Sequence, residues 1–400
     1  MTESASPQPF DPQSWSPDGR PRARGLGVPL PGEPGPQNAI TDVPGVGVGY
    51  VTLVEGQGPL TVGQGPVRTG VTAILPRGRG GVGVPCAAGW YSLNGNGEMT
   101  GTTWIEEVGA IAVPILISNT HAVGACHEGA IAWINRTDPV AATEWLLPVV
   151  AETWDGYLND INGLHVRPAH AMAALDAARG GPVAEGAVGG GTGMVCYGFK
   201  GGSGTASRVV RFGSDRYTVA AFVQANFGDR AHLTVAGHRL GEALLGDDPV
   251  ADPSWLARDG ERARRAAAGM GSVIVIVATD APLLPGQCKA LARRVPLGLA
   301  RTGTSGGHFS GDLFLAFSTA NAGALTSALP LAEPSAGDYE TLRFLPWGHL
   351  DPFFHAVVES VEEAVLNALV AGVETVGRDG HRVPGLPHDA VREAFGATSG

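Results

Sequence analysis

The chain has 400 residues, 44% hydrophobic and 16% charged, which makes it globular, with material for one large or two modest domains. Its formal charge of −11 argues against nucleic acid as the main partner, and no run reaches the roughly 18 apolar residues of a membrane span. The four cysteines are far apart, without a C-x-x-C pair, and read as reduced buried thiols rather than a zinc or redox motif.

In chain order, residues 1–37 are rich in Pro and Gly and read as a flexible arm. They contain no apolar h-region, so no signal peptide is expected and the location implied is cytoplasmic. From Asn38 onward the chain reads as one domain, 38–400. Strands are expected at 46–51 and 70–75, and at 110–117 despite Pro114. Helices are expected at 143–154 and 169–179. Glycine-rich loops follow at 189–194 and 198–205, then strands at 209–212 and 217–224. Residues 255–270 are charged and then small, as in an exposed linker. A strand at 272–278, a helix at 285–294 and a strand at 313–318 come next. The clearest helix runs from Asp351 to about Ala371: its apolar residues recur at three and four, with Glu359, Glu362 and Glu363 opposite. Strands and helices come in runs rather than in βαβ alternation, which favours stacked sheets covered by helices.

The step Gly271-Ser272 opens a run of five β-branched residues, Val273 to Val277, that reads as a strand buried on both faces. A glycine lets another group approach its carbonyl, and the serine hydroxyl could attack that carbonyl. Cleavage there would leave Ser272 with both a nucleophile and an amine base. The same residues also fit an ordinary strand start. Ser310 and Asp312, two apart on a second strand, face one way and could orient the nucleophile and relay its proton; a turn opening a strand fits them too. Asn226 ends another apolar strand, where its NH₂ could serve an oxyanion or cap a loop. Glu152, Trp154 and Tyr157 cluster a carboxylate with aromatics, as a site for a substrate ammonium or as a surface turn. Neither glycine-rich loop has the spacing of a nucleotide-binding motif. His121, Cys126, His127 and Glu128 match no standard metal-site spacing.

Several segments taken together resemble the DmpA-like L-aminopeptidase D-amidase/D-esterases and the β-aminopeptidases, self-processing serine peptidases of the N-terminal-nucleophile type. They are 38–46 (NAITDVPGV), 196–202 (CYGFKGG), 224–228 (QANFG), Gly271-Ser272-Val273-Ile274-Val275, 278–283 (ATDAPL), 300–303 (ARTG) and Ser310-Gly311-Asp312. They occur in the family's order between about residues 38 and 380. The resemblance implies an α+β fold, a four-layer αββα sandwich shared with ornithine acetyltransferases. It implies cleavage at 271/272 into an α part (1–271) and a β part (272–400), and a homotetramer of processed protomers. Ser272 would be the nucleophile, Ser310 and Asp312 its assistants, and Asn226 the oxyanion donor. Glu152 would hold the amine of a small peptide or amino-acid amide or ester, with Trp154 and Tyr157 lining the pocket. No metal or organic cofactor is implied. The alternatives are acyl transfer of the ornithine acetyltransferase type, which uses threonine at the cleavage point, and an uncut binding protein.

Overall fold

The structure is a computed structural model that describes residues 11–143, 145–249, 271–329 and 333–396. The linker expected at 255–270 lies outside them. Two sheets carry the fold. The smaller orders β1 (Gly47–Glu55), β2 (Val67–Leu75), β5 (Ile115–Asn119) and β6 (Val149–Thr153). The larger orders β4 (Ala110–Ile111), β3 (Cys86–Ser92), β14 (Ser310–Ser318), β13 (Gly271–Thr279), β10 (Asp215–Asn226) and β9 (Gly202–Phe212). A short ribbon pairs β7 (Val195–Cys196) with β8 (Phe199–Lys200), and another pairs β11 (Thr234–Val235) with β12 (His238–Arg239).

The period of two along β13 sorts the layers. Ile274, Ile276 and Ala278 face the smaller sheet, where they meet Ile74, Ile117 and Ala151. Val273, Val275 and Val277 face the other way, onto α4 (Pro285–Ala292), α5 (Val295–Arg301) and α6 (Asp351–Val370) through Leu291, Leu299, Val361 and Val365. On the far side, α2 (Val123–Thr137) and α3 (Pro168–Ala177) cover the smaller sheet, with Trp133, Ile134 and Leu175 over Val71, Leu116 and Val150. The layers are α, β, β, α, the sandwich expected.

Four expectations change. The glycine-rich run 198–205 is not a loop: Phe199–Lys200 is β8 and Gly202 to Thr205 open β9. Residues 143–154 hold strand β6, not a helix, because Pro148 interrupts helical hydrogen bonding and the β-branched Val149-Val150 pair then runs parallel to β5 between two apolar layers. Residues 110–117 are two strands rather than one, and Pro114 lies where the chain leaves the larger sheet for the smaller. The segment 11–37 is not a loose arm. Ala23, Leu26 and Val28 are buried in the main core. Arg22, 3% exposed, pairs with Glu185 at 2.9 Å and donates to the carbonyls of Asn38 and Thr205. Arg24 and Arg208 converge on Glu363, so two of the three glutamates expected opposite the apolar stripe of α6 are buried, Glu363 beneath this segment and Glu362 against Arg301.

Removing Arg22 would strand the Glu185 carboxylate, whose pKa burial already raises, without its cation. Arg22→Met is expected to lower the unfolding free energy by about 3–5 kcal/mol, read from denaturant midpoints. A change below about 0.5 kcal/mol, typical of an exposed site, would return the segment to a loose arm.

Candidate active site

The nucleophile candidate is set by register. Ser272 pairs with Asn226 on antiparallel β10 and with Gly311 on parallel β14. Ser272 lies in phase with Ile274 and Asn226 in phase with Phe222, so both side chains point toward the smaller sheet. Ser272 is 3% exposed. Its Oγ accepts from the Trp154 backbone N–H at 3.2 Å and from Asn226 Nδ2 at 3.4 Å. The Asn226 amide can sit only one way round: its Oδ1 accepts from the Val195 N–H at 2.9 Å and its Nδ2 donates to the Trp154 carbonyl at 2.9 Å. Two donors thus converge on one buried hydroxyl.

Ser310 and Asp312 are brought to the neighbouring strand but not to the Ser272 hydroxyl. They lie in phase with Phe314, on the helix-facing side of the sheet, opposite to Ser272. Ser310 Oγ donates to Asp312 Oδ1, and among the described residues no hydrogen bond joins either to Ser272. Ser310 is the cross-strand neighbour of Gly271, so the pair flanks the Gly271–Ser272 peptide rather than Oγ. Burial raises the pKa of Asp312, while the Ser310 hydroxyl and the Asn94 amide hold it back. Asn94, which sequence reading missed, clamps Asp312 twice: Nδ2 donates to Oδ2 at 3.0 Å and Oδ1 accepts the Asp312 N–H at 2.7 Å. A polar loop rich in Asn and Gly carried no signal for this, because its partner is 218 positions away.

Glu152 is buried near the end of β6. Its Oε1 accepts the Glu98 N–H at 2.9 Å, and its Oε2 accepts from the Thr120 hydroxyl. Each carboxylate oxygen keeps a lone pair for a further donor. Burial raises its pKa, opposed by those two bonds. A Cβ on Gly97 would lie 3.3 Å from Glu152 Oε1 and 2.9 Å from the Cα of Gly311, so the carboxylate stands close to the strand that flanks Ser272. Glu98 and Thr120 were also not singled out from the sequence.

Trp154 supplies its backbone to Ser272, while its ring packs with Tyr157, Leu158 and Val383. Tyr157, 8% exposed, stacks on His381 with centroids 4.5 Å apart and donates its hydroxyl to the Pro249 carbonyl. It is a packing residue of that cluster and makes no hydrogen bond to Ser272 among those described. In the glycine turn Gly189–Gly191 a Cβ on Gly190 would meet the Ile117 carbonyl at 2.6 Å, so glycine there lets the backbone pack close. All four thiols are free and buried; burial pushes Cys126 and Cys196 up to about 12, so neither is a thiolate at neutral pH. Among the described residues no group of three His, Cys, Asp or Glu side chains could hold a metal, and no helix is long and apolar enough to cross a membrane.

Comparison with known proteins gives the family and the fold. The model of peptidase family S58 matches residues 38–383. A β-peptidyl aminopeptidase from Sphingosinicella microcystinivorans is 48% identical over 372 residues, covering 93% of this chain and 91% of its own. The L-aminopeptidase D-Ala-esterase/amidase of Ochrobactrum anthropi, described as a prototype of the serine aminopeptidases and a variant of the Ntn-hydrolase fold, superimposes with TM-score 0.84 at 44% identity, over 95% of this chain and all of that one. A Burkholderia β-aminopeptidase superimposes with TM-score 0.82 at 45% identity, over 94% of this chain and 98% of its own. With the family model spanning most of its length and an Ntn-hydrolase sandwich holding a serine at the head of β13, the chain belongs to peptidase family S58.

Proposed function

We propose that this protein is a self-processing serine aminopeptidase whose nucleophile is Ser272. The convergence of the Asn226 amide and the Trp154 N–H on the Ser272 hydroxyl carries the reading. In the precursor, Oγ attacks the Gly271 carbonyl carbon. The C–N bond breaks, the hydroxyl proton passes to the departing Ser272 nitrogen, and water hydrolyses the resulting ester. This frees the Ser272 α-amine beside Ser310 and its carboxylate partner Asp312, which set the amine's position and charge.

In hydrolysis, that amine takes the Oγ proton as Oγ attacks the substrate carbonyl. Asn226 Nδ2 and the Trp154 N–H hold the oxyanion, each such donor being worth about 3–4 kcal/mol in comparable sites. The leaving amine or alcohol departs with the proton, and water then releases the acyl group. Glu152 binds the ammonium of the substrate's first residue, which restricts cleavage to the N-terminal bond of short peptides and to amino-acid amides and esters. The names of the relatives support N-terminal β-amino residues as substrates, and D-residue esters and amides as further ones. The homotetramer is proposed from the resemblance alone. A cytoplasmic location is proposed because all four thiols are free. Acyl transfer of the ornithine acetyltransferase type is not favoured, because position 272 is serine.

Two measurements bear on this. Incubation with a slow ester substrate should add one acyl mass to the fragment that begins at Ser272; activity without any adduct would contradict the covalent route. The Glu152 carboxylate must be ionised to hold an ammonium, and its pKa is raised, so KM should climb as pH falls through a range above that of ordinary carboxylates. Glu152→Gln should raise KM about 10–100-fold at neutral pH, the loss of one charge-assisted bond, and flatten that rise. An unchanged KM profile would remove Glu152 from the amine site.

A further inference from the structure

Lys200 is one of only two lysines in the chain, the other being Lys289. It is 0% exposed, and among the described residues no carboxylate lies within 4.0 Å of it. Its ammonium is held instead by three carbonyls: Met194 at 2.8 Å, Gly201 at 2.8 Å and Gly191 at 3.2 Å. Three acceptors converging on one nitrogen suit the three protons of an ammonium, and a planar guanidinium cannot replace it. A neutral amine has two protons and would turn a lone pair toward the third oxygen.

The Met194 carbonyl and the Val195 N–H are the two ends of one peptide group. β7 and β8 form a hairpin across Tyr197-Gly198, both with positive φ, and the Gly201 N–H also donates to the Met194 carbonyl. The Val195 N–H is thereby left pointing out of the ribbon, onto Asn226 Oδ1. The path is continuous: Lys200 ammonium, Met194–Val195 peptide, Asn226 side-chain amide, Ser272 Oγ.

We propose that Lys200 is a positioning residue for the reaction: through the Met194–Val195 peptide it fixes and polarises the Asn226 amide that faces the oxyanion. The proposal rests on the reading of Asn226 as an oxyanion donor. A cation at the head of such a chain draws electron density along it, so that each donor further down is stronger, and in a buried, low-dielectric interior that effect is little screened. The cost of keeping the charge is visible: burial pulls the Lys200 pKa down to about 7, against the attraction of Asp155 in the loop after β6.

The test has two parts. First, the native enzyme labelled with ¹³C in its lysine side chains should show two signals, of which Lys289→Arg identifies the exposed one. The Lys200 signal should be that of an ammonium at the pH of fastest turnover; a neutral amine there would overturn the proposal, whether or not any variant folds. Second, Lys200→Met and Asn226→Ala are combined in a double-mutant cycle on kcat for an ester, or on the self-cleavage rate where a variant stays uncut. Lys200→Met should lower the rate about tenfold, less than the 10²–10³ expected for losing a whole oxyanion donor, with KM unchanged. In the Asn226→Ala background it should cost less than about twofold. Equal losses in both backgrounds would make Lys200 loop support only. Full activity of Asn226→Ala alone would instead bring down the oxyanion reading itself.

Discussion

The register of three strands at the centre of the larger sheet is the constraint on which the rest depends. Antiparallel β10 puts Asn226 opposite Ser272, and parallel β14 puts Ser310 opposite Gly271 and Gly311 opposite Ser272. A slip of one residue would turn Ser272 to the helix side and bury Val273 between the sheets. The slip is opposed by every side chain along β13, because both of its faces are packed: Val273, Val275 and Val277 on one, Ile274, Ile276 and Ala278 on the other. The apolar strand therefore does more than fill the core. It indexes a hydroxyl to its donors on one face and the Gly271–Ser272 peptide to a serine–aspartate pair on the other.

Close backbone approach completes the site. A Cβ on Gly311 would lie 2.5 Å from the Asn96 carbonyl, and one on Gly271 would lie 2.8 Å from the Asn226 carbonyl. The first glycine lets the loop carrying Asn94 and Gly97 lie across β14, and the second lets the end of β10 lie close to the start of β13. The charged groups of the site, by contrast, are held within polar shells: Asp312 by Asn94 and Ser310, Glu152 by Glu98 and Thr120, Lys200 by three carbonyls. Each is buried, and burial shifts each pKa toward the neutral form.

What the sequence discloses follows from how local each signal is. The β-branched run at 273–277 and the three-four spacing of α6 are short-range patterns, and both elements are where those patterns put them. The Ser310–Asp312 spacing puts the two on one face, where they hydrogen-bond to each other, yet spacing along one strand cannot say which face a neighbouring strand presents, so their separation from the Ser272 hydroxyl was not legible. At 143–154 Pro148 and the β-branched pair Val149-Val150 are the local signals of a strand, against the helix expected there. The segment 11–37 looked loose because its anchors are single arginines whose partners, Glu185 and Glu363, lie far along the chain. Lys200 and Asn94 were hidden for the same reason: one lysine or one asparagine has no pattern, and only the fold gives each its partners.

The central claim is that Ser272 cuts the chain that carries it. Intact mass and N-terminal sequencing of the purified wild type beside Ser272→Ala test it most directly. The account predicts two wild-type fragments, one beginning at Ser272, and a single full-length chain for the variant. An uncut wild type, or a variant cut at the same bond, would contradict it.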